Sequence, residues 1–194
     1  MGGPDDKSNG YEQTAQQFIA ARDIGIGIAT VRDWSYSLRR GGRVLDLGCA
    51  HGVPITQLLI DRGFSVYGVD ASATLIAEFR RRFPTASAQC VPVEDSDFFG
   101  RLFDGIIAVG LLFLLSSQTH EIVLQKIALS LISSGRLLFT CPAEAVRWND
   151  SLTGRESISL GATRYAELLP LWGMELLGEA NDEGGNHYYS CRKR

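Results

Sequence analysis

Apolar residues along this chain follow two rhythms that alternate. Short, largely apolar runs at Arg43–Leu47, Phe64–Val69, Ala86–Val91, Phe103–Val109 and Arg136–Cys141 have the length and side-chain character of buried strands. Between them the spacing changes to three and four residues. Ile55, Leu58 and Leu59 mark one helix, Leu75, Ile76 and Phe79 a second, and Val123, Ile127 and Leu131 a third over Thr119–Ile132. Two helices, Tyr11–Arg22 and Ile26–Leu38, precede the first strand, and another lies near Thr163–Leu171 after a polar stretch, Pro142–Ala162.

Punctuation supports the same divisions. Gly41 and Gly42 turn into the first strand, Pro54 sits where a helix starts, Gly63 ends that helix, and Ser72 is placed to cap the next. Strands alternating with helices predict right-handed crossovers and a parallel, doubly wound sheet with helices on both faces. The closing pair, Glu175–Ala180 and Asn186–Cys191, is too close for a crossover helix, so the last strand must run antiparallel. Residues 1–9 are expected to form a disordered tail. Residues 10–194 form one domain, with 10–40 as an N-terminal helical cap.

Bulk properties exclude several classes. A net charge of -3 leaves no basic footprint for nucleic acid, and Arg80–Arg82 closes a helix whose negative end favours cations. The longest apolar run, Ile106–Leu115, is too short to span a bilayer. Cys49, Cys90, Cys141 and Cys191 are far apart and lack metal-ligand spacing, so neither a disulfide framework nor a metal site is expected. With no signal-peptide pattern at its start, the chain is expected to be cytoplasmic.

Candidate chemistry concentrates between Val44 and Asp70: strand, glycine-bearing turn, helix, and a second strand ending in an acid. Glycines admit a ligand against bare backbone, and a strand-ending carboxylate can hold two adjacent ribose hydroxyls, so a nucleoside-containing ligand is implied. A nicotinamide dinucleotide would require GxGxxG, but from Gly48 the chain reads Gly-Cys-Ala-His-Gly-Val. There is no Walker phosphate loop either.

Taken in order, these features resemble the class I S-adenosylmethionine-dependent methyltransferases over nearly the whole chain. Their first motif, (D/E)xGxGxG, is matched by Asp46, Gly48 and Gly52, with Ala50 in the middle glycine place. Asp70 matches the acid ending their second strand, Leu102–Ile107 their fourth strand, and Leu131–Phe139 the turn into their fifth. The resemblance implies a Rossmann-like, seven-stranded sheet whose last strand is reversed. Among the branches, the small-metabolite methyltransferases of the ubiquinone-biosynthesis type are most similar.

Roles follow by resemblance. Asp70 would hold the ribose, with Ala71 and Ser72 beside it; Gly48, Ala50, Gly52 and Asp46 would meet the methionine portion. Val93 and Glu94 would edge the adenine, Gly110 and Leu111 the methyl-bearing end, and Tyr11 would cover the cofactor. Many relatives carry an Asp at the position of Pro92 to pair with the adenine amino group, so here that contact either comes from Glu94 or Asp95 or is absent. His51 replaces a small residue in the turn and is expected to point to the surface.

For the acceptor, Arg22, Phe113, Trp148, Arg155, Asn186 and His187 are candidates. Catalytic candidates are His187, Tyr188 and Glu183, on the polar run joining the last two strands. Alternation puts His187 and Tyr189 on one face of the last strand, Asn186 and Tyr188 on the other. The place of the (N/D)PPY run of polymer-modifying relatives reads Val109-Gly110-Leu111-Leu112, which favours a small-molecule acceptor. A second reading stays open: a protein of this fold that binds the cofactor without transferring methyl.

Overall fold

The computed structural model describes residues 6–194. Seven strands form one sheet: β1 (Arg43–Leu47), β2 (Ser65–Asp70), β3 (Ser87–Cys90), β4 (Phe103–Ala108), β5 (Leu131–Thr140), β8 (Met174–Asn181) and β9 (His187–Lys193). Their spatial order is β3-β2-β1-β4-β5-β9-β8. β9 runs antiparallel to both neighbours, while β1 to β5 pair in parallel. The reversed strand expected at the end of the sheet is therefore one place in from the edge.

Strand alternation sorts the core into layers. Leu45, Leu47, Ile106, Leu137, Phe139 and Tyr189 pack on one face with residues of α5 (Ser117–Ser130) and α6 (Ala162–Leu171). Val44, Ile107, Leu138 and Tyr188 face the other way, against α2 (Ile28–Ser35) and α3 (Ile55–Asp61). On the flank, α4 (Ala73–Arg82) buries Leu75, Ile76 and Phe79. Its N-cap Ser72 accepts the Leu75 N–H, and Arg80–Arg82 form its last turn, as expected. Each Leu, Ile or Phe so buried contributes roughly 1.5–3 kcal/mol. α1 (Tyr11–Ala21) has few apolar anchors, with Ala15 its buried residue, and packs against α4.

Two stretches differ from expectation. β5 begins directly after α5 at Leu131, because Leu131 pairs with Phe103 before a register shift; Ser134 (φ 65°) then carries the chain to the regular pairing at Arg136. The polar stretch 142–162 contains a separate antiparallel pair, β6 (Val146–Asn149) with β7 (Glu156–Ser159). Of the expected tail, residues 1–5 lie outside the described residues. Residues 6–9 bond to the body: Lys7 Nζ donates to Asp95 at 2.6 Å, and Arg155 pairs with Asp6 at 2.9 Å. Among the described residues no helix is long and apolar enough to cross a membrane, and no cluster of His, Cys, Asp or Glu could hold a metal ion.

Candidate functional site

At the carboxyl ends of β1, β2 and β4 the sheet opens into a cavity of about 240 Å³. The turn after β1 forms its floor. The Gly48 and Cys49 N–H groups both donate to the Val69 carbonyl, at 2.8 and 3.2 Å, which ties the turn to β2. Ala50, at φ 49°, donates its N–H to Asp70 Oδ2 at 2.9 Å, while Asp70 Oδ1 accepts the Ser72 N–H at 2.8 Å. Burial pushes the Asp70 carboxyl up, against the lowering effect of these backbone bonds. Deeper, Asp46 accepts the Thr56 hydroxyl at 2.7 Å. Burial lifts its carboxyl to about 7; Thr56 opposes the shift and the charge of Asp70 adds to it.

The turn glycines are fixed by packing as well as by ligand access. A Cβ at Gly52 (φ 86°) would stand 2.3 Å from the Phe83 ring, and one at Gly48 (φ 67°) 3.0 Å from Leu111 Cβ. Gly110 differs: nothing lies within 4 Å of its Cβ position, and its N–H is held by Thr140 Oγ1 at 2.8 Å. Beyond β4 the backbone is thus bare and open toward the cavity.

The roof comes from distant segments. Tyr11 and Phe18, seven residues apart, share one side of α1, and with Arg22 just past its end they line the cavity. Glu12 fastens α1 to the start of α4 by accepting the Ser72 hydroxyl, the Thr74 N–H at 3.1 Å and the Thr74 hydroxyl at 2.7 Å. The β6–β7 turn holds the segment before α1. Tyr11 Oη donates to Asp150 Oδ2 at 3.1 Å, Arg155 grips the Asp6 carboxylate and carbonyl, and Gly10 packs on Thr153. On the opposite side Glu183 accepts the Gly27 N–H at 3.0 Å, and the Tyr188 hydroxyl abuts Gly27.

The cavity wall includes eleven of the twelve residues expected at a cofactor: Tyr11, Asp46, Gly48, Ala50, Gly52, Asp70, Ala71, Val93, Glu94, Gly110 and Leu111. Ser72 is outside it, because its hydroxyl is used between Leu75 and Glu12. Of the acceptor and catalytic candidates, Arg22, Phe113, Asn186 and Tyr188 line the wall.

The remaining candidates are displaced, each for a physical reason. His187 is on the opposite face of β9, as alternation requires, with its ring nitrogens 2.7 Å from Asn181 Oδ1 and from Glu179 Oε2. Glu183 is taken up by Gly27, and Arg155 by Asp6. Trp148 stands behind Phe113, ring centroids 5.4 Å apart, and touches the cavity only through it. His51 is a correction of another kind. Expected at the surface, it is buried at 4% exposure, edge-on to Phe18, with burial and then the Arg82 and Arg22 charges lowering its pKa.

Sequence reasoning missed Asn9, Phe18 and Thr140 as wall residues. For Phe18 the helical spacing from Tyr11 was a usable signal. For Asn9 and Thr140 the wall position depends on contacts across the fold.

Comparison with known proteins agrees with this fold. Residues 44–135 match the family described as a methyltransferase domain. No curated protein matches in sequence. Among solved structures, the CcbJ methyltransferase from Streptomyces caelestis is 15% identical with a TM-score of 0.78, covering 97% of this chain and 99% of that one. The 1,6-didemethyltoxoflavin-N1-methyltransferase of Burkholderia thailandensis, solved with its named substrate and S-adenosylhomocysteine, is 19% identical with a TM-score of 0.73, covering 100% and 91%. The [4+2]-cyclase SpnF is 17% identical with a TM-score of 0.72, covering 98% and 96%. The chain has the class I methyltransferase fold, with a methyltransferase-domain match spanning β1 to the start of β5.

Proposed function

We propose that this protein is an S-adenosylmethionine-dependent methyltransferase acting on a small-molecule acceptor. The observation that carries the reading is the Asp70 carboxylate on the cavity wall, which accepts the Ala50 and Ser72 N–H groups. A carboxylate offers about four lone-pair positions, so positions remain for the adjacent hydroxyls of a ribose. The open backbone at Gly110 fits a ligand in close approach on the β4 side.

On this reading Asp46 faces the cofactor ammonium and the 48–52 turn runs beside the methionine portion. Ala71 flanks the sugar, Val93 and Glu94 the base, and Leu111 the methyl-bearing end. Bound there, the cofactor would supply an electrophilic sulfonium methyl for in-line transfer to an acceptor. The protein's own part is alignment in a water-poor pocket. Phe113 and Ile26 make the acceptor side apolar, and Asn186 and Tyr188 add hydrogen-bonding groups.

Tyr188 serves as a hydrogen-bond donor rather than a base, since burial and the Asp182 carboxylate both push its phenol further above the ordinary range. Arg22 makes no ion pair among the described residues and favours an acidic group on a ligand. The place after β4 reads Val109-Gly110-Leu111-Leu112 and lacks the (N/D)PPY run of polymer-modifying relatives, which supports a small acceptor rather than a polymer.

Calorimetry with S-adenosylmethionine and S-adenosylhomocysteine, followed by labelled-methyl transfer to metabolite pools, tests the proposal. Binding with transfer is the expected result; absence of binding would overturn it. Tight binding without transfer to any pool would favour the second reading, a cofactor-binding protein with other chemistry, for which the likeness to a cyclase speaks.

A further inference from the structure

The strands present the cavity walls in a fixed order. From β4 through β1 and β2 to β3, their carboxyl ends lead into Gly110, Gly48, Asp70 and Val93. With the ribose at Asp70 and the amino-acid portion between Gly48 and Gly110, the base falls beyond β3. The inference below therefore rests on the cofactor reading above.

Val93, Leu114 and Leu115 line that end with apolar side chains, and the preceding Pro92 has neither an N–H nor a polar side chain. Polar side chains approach it as well, among them Lys7, Glu94 and Asn9. Lys7 is taken by Asp95 at 2.6 Å. Asn9 stands apart. It adopts φ 52°, a left-handed conformation that Asn tolerates, and its Nδ2 is cut off from bulk water with no partner among the described residues. A buried amide donor without a partner is costly to leave so, and it marks where a ligand acceptor belongs. The segment carrying it is held from both sides, by Lys7 to Asp95 and by Asp6 to Arg155.

We infer that Asn9 reads the purine of the cofactor. Its Nδ2 donates to a ring nitrogen, and its Oδ1 is left to accept from the exocyclic amine, the two-bond pairing by which a carboxamide recognises adenine. A residue from the strap over the cavity thereby supplies the base selectivity that Pro92 cannot.

The test pairs protein variants with ligand variants. S-adenosylhomocysteine and its 1-deaza, 3-deaza and 7-deaza analogues are titrated calorimetrically into wild type and Asn9→Gly, the glycine being free to keep the same backbone. Wild type is expected to bind at least one deaza analogue about fivefold to a hundredfold more weakly than the parent, and Asn9→Gly to lose that discrimination. Should Asn9→Gly fail to fold, Asn9→Asp, which suits the same φ and replaces the donor by an acceptor, carries the measurement. Equal deaza penalties in wild type and variant would overturn the inference alone. Failure of wild type to bind S-adenosylhomocysteine at all would overturn the cofactor reading, and this inference with it.

Discussion

The floor and the roof of the cavity are built on different principles. The floor is local: Asp46, the 48–52 turn and Asp70 lie within one strand–helix–strand unit, where backbone N–H groups join the turn to Val69 and Asp70 and the Thr56 hydroxyl holds Asp46. The roof is assembled from segments far apart in the chain, by side-chain pairs such as Tyr11 with Asp150 and Arg155 with Asp6. A backbone-built, buried floor holds its shape without a ligand. A side-chain-built, partly exposed roof can part at modest cost, since such ion pairs are worth about 1 kcal/mol or less. The difference teaches how one pocket can be both preformed and accessible.

That contrast can be broken first at its firmest point. Gly52→Ala combines a left-handed backbone with a collision against Phe83, and is expected to cost about 2–5 kcal/mol of stability in urea unfolding. Asp70→Ala should leave the fold intact but weaken S-adenosylhomocysteine binding by about 1–3 kcal/mol, measured calorimetrically. Unchanged affinity would remove Asp70 from the ribose.

A pH titration sharpens the account of Asp46. With its carboxyl lifted to about 7, it is protonated below that pH, and on the proposed reading a bound ammonium expels the proton. Affinity should therefore be flat above pH 7 and fall below it by up to about tenfold per unit, while Asp46→Asn should flatten that limb. The smallest equilibrium effect belongs to the roof. Arg155→Ala should shift stability by less than about 1 kcal/mol yet speed the release of S-adenosylhomocysteine in stopped-flow experiments. A large affinity loss with an unchanged release rate would place Arg155 in the floor's class instead.

Legibility followed the same division. The floor could be read from sequence because glycine, Pro54, capping Ser72 and the strand-ending Asp70 act over a few residues. Two-residue alternation likewise separated Asn186 and Tyr188, on the wall, from His187 and Tyr189. What could not be read depended on pairing across the fold. β6 and β7 are short and mostly polar, so neither rhythm marks them, yet their turn holds the start of the roof. His51 looked like a surface residue because nothing near it in sequence reveals Phe18 above it. Trp148 and Arg155 stand one layer behind the wall, Trp148 on Phe113 and Arg155 on Asp6, contacts that nothing near them in sequence reveals.

The inner position of β9 has a consequence for how the molecule comes into being. Five parallel strands, β1 to β5, can assemble as they leave the ribosome, but β8 has no partner in the sheet except β9, which is made after it. Until residues 187–193 arrive, β5 is an unsatisfied edge and β8 waits beside the growing structure, the kind of exposed border that invites faulty association. Closure of the fold, and with it the delivery of Asn186 and Tyr188 to the pocket, thus waits on residues 187–193.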